Sequence, residues 1–191
     1  MKKNIITQQP VSLVVMPGVG AHIQQKGKQK SVYFGMSEED LTADFVFPEQ
    51  KFEPQDFNGR QVYAVQFDGI LASFYADGDV LRGLEIQTPG THVSLMGKTT
   101  RIGDHARQVL AHFGRGFAFD KYPNNLPVYP DIKEFISYDE LGLTFGLSFD
   151  DRVALISILA LDDALLHNNL WVDTTLLNPE LLKALNGQSG E

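Results

Sequence analysis

Side chains able to do chemistry are few in type and scattered in position. Five histidines stand at His22, His92, His105, His112 and His167, and the chain has no cysteine. His105 and His112 are seven residues apart, so on a helix they share a face. About 10 Å of helical rise separates them, too far for one metal ion to bridge. No His-Glu-x-x-His, His-x-His or EF-hand pattern occurs. Lack of cysteine removes thiolate nucleophiles, disulfides and Cys-based zinc or iron–sulfur sites. Gly18-Val19-Gly20 lacks the Lys-Ser/Thr of a phosphate loop and has Ile23 where a dinucleotide fingerprint needs its third glycine, so it reads as a plain turn. Ser94 and Ser148 sit in alternating strand patterns, not in a Gly-x-Ser-x-Gly elbow. Carboxylates pair at Asp77/Asp79, Asp150/Asp151 and Asp162/Asp163. The first two pairs fall at expected hairpin tips, where water keeps a carboxyl ionised and unsuited to acid catalysis. The expectation is a non-enzyme with no catalytic residue, metal or cofactor.

What remains is binding. The net charge is −8 with 24 acidic and 16 basic residues, which argues against direct contact with nucleic acid because phosphate binding needs a basic face. Residues 1–60, 61–120 and 121–191 carry 0, −1 and −7, so the acidity sits in the last part of the chain. A cationic protein partner fits that field. The expected partner-binding residues are Asp150, Asp151, Asp162, Asp163 and Asp173, with Trp171, the only tryptophan, as the aromatic anchor. Lys26, Lys28 and Lys30 read as a charged hairpin tip. Met1-Lys2-Lys3 opens like a signal peptide, but Val11 to Met16 is too short for an h-region, and no apolar run reaches the roughly 20 residues of a membrane span. A cytoplasmic protein is expected.

The elements that must position these residues recur. Gly69 to Val80 and Gly142 to Val153 are both steps of eleven, and each reads strand, acidic turn, strand. Asp77-Gly78 suits a two-residue turn in which both residues take positive φ. Ser37-x3-Leu41-x3-Phe45 matches His105-x3-Val109-x3-Phe113. The first opens a helix capped by Ser37, and the second opens at Asp104 and stops at Gly114. Pro10 to Met16 reads as a buried strand ending at Pro17-Gly18, and Pro48 and Pro54 frame a polar loop. Later strands are expected over Glu134–Ser137, Leu141–Phe149 and Val153–Leu161, and Asn178-Pro179-Glu180 caps a short C-terminal helix. The pattern predicts an α+β fold: one compact unit over 1–191 with two tandem α-β repeats, at 31–96 and 97–165, with antiparallel sheets.

Gly35-Met36-Ser37-Glu38-Glu39-Asp40-Leu41, the aromatic strand Val62 to Phe67 and the Asp77-Gly78-Asp79-Val80 hairpin resemble the BamE-like repeats, although the lipobox cysteine of the outer-membrane lipoproteins is absent. An acidic chain of this size also resembles the immunity proteins of bacterial contact-dependent and polymorphic toxin systems. That resemblance implies an antitoxin covering the basic active site of a cationic toxin, a nuclease by preference, by mimicking phosphate charge. The alternatives are a BamE-like structural or assembly module and a small enzyme or ligand-binding domain.

Overall fold

Apolar and polar residues alternate with a period of two through most of the chain, and strands are what such a pattern makes. The structure is a computed structural model describing residues 10–25, 27–43, 50–57, 59–67, 69–119, 129 and 131–160. Its first strands are β1 (Ser12–Met16), β2 (Gly20–Gln25) and β3 (Lys28–Tyr33), followed by helix α1 (Glu38–Thr42). Next come β4 (Gln50–Phe57), β5 (Arg60–Phe67), β6 (Ile70–Tyr75), β7 (Val80–Ile86), β8 (His92–Leu95) and β9 (Lys98–Arg101). Helix α2 (Ala106–Phe113) leads to β10 (Phe117–Phe119), β11 (Ile132–Tyr138), β12 (Leu143–Ser148) and β13 (Val153–Leu159).

These strands form two sheets. The smaller has the order β3-β2-β1-β8-β9 and the larger β10-β11-β12-β13-β7-β6-β5-β4. All pairings are antiparallel except β1 with β8. The two sheets share one core, to which the smaller contributes Leu13, Ala21 and Val32 and the larger Val65, Phe74, Leu84, Phe145 and Ile156. Leu41 of α1 and Val109 and Phe113 of α2 complete it. Phe113 stacks on Phe145 at 5.5 Å, with Tyr138 edge-on to Phe145 at 6.1 Å.

The expected α+β fold of two tandem α-β repeats is therefore wrong. The described residues are mostly β, 59% strand against 12% helix, and their two α-helices have five and eight residues. Capping signals mark where a helix begins, not how far it runs. Ser37 does cap α1, its hydroxyl accepting from Asp40 N–H at 3.1 Å, but the helix ends at Thr42. His105, not Asp104, caps α2: its Nδ1 accepts from Arg107 N–H, and Gln108 Oε1 accepts from His105 N–H. The Asp104 carbonyl instead accepts from Val153 N–H. Gly114, at φ 86°, ends α2 as expected. The polar loop expected around Pro54 is strand β4, an outermost strand with a bulge between Phe52 and Gln55 that absorbs the proline. The Asp77-Gly78 turn spans Ala76–Asp79, with Gly78 and Asp79 at positive φ. The expected C-terminal helix lies outside the described residues.

Likeness between the halves lies in their hairpins. In β6–β7 the register shifts between Ser73 and Phe74, and in β12–β13 between Gly146 and Leu147, four residues into the first strand of each. The second tip is one residue shorter. β13 pairs with β7 so that Ile156 faces Ile86, Ser157 faces Glu85 and Ile158 faces Leu84. With Leu84–Ile86 taken as equivalent to Ile156–Ile158, those pairs exchange onto themselves. An approximate twofold axis thus passes between Glu85 and Ser157, and the two hairpin tips point to opposite ends of the sheet.

Candidate functional site: two hairpin tips

At the β12–β13 tip the turn Phe149-Asp150-Asp151 is closed by Ser148 N–H donating to Arg152 O at 2.8 Å and Asp151 N–H donating to Ser148 O at 3.0 Å. Asp151 takes φ 58°, a left-handed conformation that aspartate tolerates better than most residues. The tip is tied to α2: Ala106 N–H donates to Asp151 O at 2.8 Å, and Arg152 Nη1 donates to Gly103 O at 2.9 Å. On this fixed turn Phe149 is 72% exposed, the most exposed large apolar side chain among the described residues.

The two neighbouring carboxylates are exposed but internally paired. Asp151 meets Lys133 Nζ at 2.8 Å, and Asp150 meets Arg152 Nε at 3.5 Å and the Ser148 hydroxyl. The Ser148 hydrogen bond holds the Asp150 carboxyl below the usual carboxylate range, and Lys133 does the same for Asp151. Both are therefore ionised throughout the neutral range, yet Lys133 and Arg152 offset their charge locally. Asp162, Asp163, Trp171 and Asp173, the other residues expected to bind a partner, lie outside the described residues.

The β6–β7 tip, at the other end of the sheet, is the more acidic. Here α1 docks against the turn: Gly35 N–H donates to Leu81 O, Leu81 N–H to Met36 O, and Glu38 N–H to Asp79 Oδ2 at 3.2 Å. The contact brings Glu38 beside Asp79, both of them next to Tyr63. Lys51 bonds Glu38 at 2.7 Å and lies 4.7 Å from the Tyr63 ring centroid. The Tyr63 hydroxyl donates to Asp79, and burial together with Asp79 and Glu38 pushes that phenol far above its ordinary range. Sequence reading missed this cluster because its carboxylates come from segments about forty residues apart, in stretches of near-zero net charge. A capped acidic helix start beside an Asp-Gly-Asp turn was the available signal.

Another carboxylate of note is Glu85, beside the twofold axis. It accepts from Tyr129 Oη and from Gln87 Nε2 at 2.8 Å, and burial raises its pKa. Among the described residues no group of three or more His, Asp or Glu side chains is arranged to hold a metal ion, and no helix is long and apolar enough to cross a membrane. No family model matches the chain, and no curated protein or solved structure matches it either.

Proposed function

We propose that this chain is a non-catalytic binding protein of the immunity type, one that neutralises a cationic protein toxin by covering its active site or substrate-binding surface. The observation that carries the reading is Phe149, 72% exposed and followed directly by two ionised carboxylates on a turn anchored to α2. An aromatic group held out from a pre-ordered backbone loses little conformational freedom on binding, which is what an interface anchor requires. Asp150 and Asp151 would exchange their pairing with Lys133 and Arg152 for cations on the partner. The eleven acidic residues after position 120, against four basic ones, supply the longer-range attraction. A nuclease suits best, because its phosphate-binding cleft is basic.

Co-expression with the product of the adjacent gene tests this. The expected result is a complex that co-purifies and from which Phe149→Ala dissociates at least about tenfold faster, equivalent to roughly 1.4 kcal/mol. Asp150→Asn with Asp151→Asn should slow association mainly at low salt. Binding unchanged in all three substitutions, or independent of salt, would move the interface away from this tip.

A further inference from the structure

The smaller sheet covers the core with one side and shows its other side to solvent. Five side chains stand abreast on that outer side: Gln29, Gln24, Ser12, His92 and Arg101 are successive cross-strand partners from β3 to β9. The next row is centred on Val14, 46% exposed, between two pre-formed polar pairs. His22 Nδ1 lies 2.8 Å from Ser31 Oγ on one side, and Ser94 Oγ lies 2.9 Å from Thr99 Oγ1 on the other. Tyr33, also 46% exposed, stands at the end of the face. None of these outward positions is Asp, Glu or Lys. That depletion, with tyrosine and arginine present, distinguishes interfaces from ordinary protein surface. The exposed strand β4, by contrast, carries Lys51, Glu53 and Asp56.

Charge says what would sit there. Residues 10–33 and 91–101, which build this sheet, hold five Lys or Arg, of which Arg101 stands at an outward position, and no Asp or Glu, leaving eleven basic and twenty-four acidic residues elsewhere. The outward positions of the face carry no carboxylate, Asp104 Oδ2 accepts from Arg101 N–H at its β9 end, and the Arg101 guanidinium is able to fork onto a further carboxylate. Five strands spaced about 4.8 Å apart and a few residues of strand length give roughly 20 by 15 Å, far below the ~800 Å² per partner of a standard protein–protein interface. A short extended segment fits that footprint. A nucleic acid fits poorly, because its charge, about one per 1.7 Å of duplex, continues past the face onto acidic surface.

We propose that the outer face of the β3-β2-β1-β8-β9 sheet is a docking surface for an extended, carboxylate-rich peptide segment of another protein. Val14 and Tyr33 are its apolar contacts and Arg101 its carboxylate clamp. The hydroxyl, amide and imidazole groups between them bond the peptide backbone.

Fluorescence anisotropy with labelled deca-glutamate, deca-glutamine and a ten-nucleotide oligo-dT at about 50 mM salt tests it, where screening still leaves surface charge effective. The expected result is saturable binding of deca-glutamate to the full chain, weakened at least fivefold by Arg101→Gln and at least tenfold by Val14→Glu. Both positions are exposed, and unchanged circular dichroism of each variant shows that the fold is kept. Deca-glutamate failing to bind, deca-glutamine or oligo-dT binding equally well, or affinity surviving both substitutions would each overturn the proposal.

Discussion

Gly20 opens β2 at φ 151°, and a Cβ placed on it would lie 1.9 Å from the Val32 carbonyl oxygen, 2.9 Å from its carbon and 3.0 Å from Tyr33 Cα. All three contacts are backbone, so no side chain can rotate away. Gly20→Ala must push β3 off β2 by more than an ångström where Gly20 pairs Tyr33 and Ala21 pairs Val32. One or two strained or lost ladder hydrogen bonds at about 1 kcal/mol each, plus about 1–3 kcal/mol for an unfavourable backbone region, give a loss of roughly 3 kcal/mol or more. Gly97 is the control: its φ is 77° but a Cβ there meets nothing within 4 Å. Gly97→Ala carries only the left-handed penalty of about 1–2 kcal/mol, partly offset by a stiffer unfolded chain. Urea unfolding followed by far-ultraviolet circular dichroism measures both. Losses within about 0.5 kcal/mol of each other would refute the steric account, since φ alone would then explain both.

Glu85→Gln should be more stable than the parent at pH 8. A raised folded-state pKa means that the carboxyl's contribution is fully present below its unfolded value of about 4.3 and is lost as pH rises through the folded value. The advantage of Gln should therefore close as pH falls toward 4 in a pH series of urea midpoints, and a gap independent of pH would contradict the burial argument. Asp79 and Asp151 both take left-handed φ, 51° and 58°, but do different jobs. Asp79→Gly removes the acceptor for Tyr63 Oη and Glu38 N–H and should cost about 1–2 kcal/mol despite the easier backbone. Asp151→Gly, whose side chain makes an exposed pair with Lys133, should be no less stable than the parent, as thermal unfolding of the two variants will show.

Local features were legible in the sequence because their causes are local. Pro17-Gly18 does turn the chain after a strand, Ser37 caps a helix, Gly114 stops one, and Leu143 to Leu159 folds as a hairpin. Assembly was not legible. Nothing in residues 12–14 announces that β1 will lie parallel to β8, eighty residues on, and closes the smaller sheet between the hairpins β2–β3 and β8–β9. The α+β expectation failed because two short helices, of five and eight residues, were given the weight of repeat-building elements, while strands fill most of the described residues. At the candidate sites, Asp150 and Asp151 were found but their partners Lys133 and Arg152 were not. Phe149, read as the last residue of a strand, sits in the turn just beyond it, where alternation no longer decides which way a side chain faces.

The seam between β7 and β13 joins residues 83–86 to residues 156–159. During synthesis, β7 is therefore an open strand edge until some seventy further residues have left the ribosome, and its apolar register is self-complementary about the twofold axis. An unfinished chain exposes an edge that another unfinished chain can match, the setting in which strand exchange and aggregation compete with folding. Arrival of β13 from the same chain ends that competition, so the yield of monomer should depend on how crowded the nascent chains are. The duplicated hairpin thus makes the timing of translation part of what determines the assembled state.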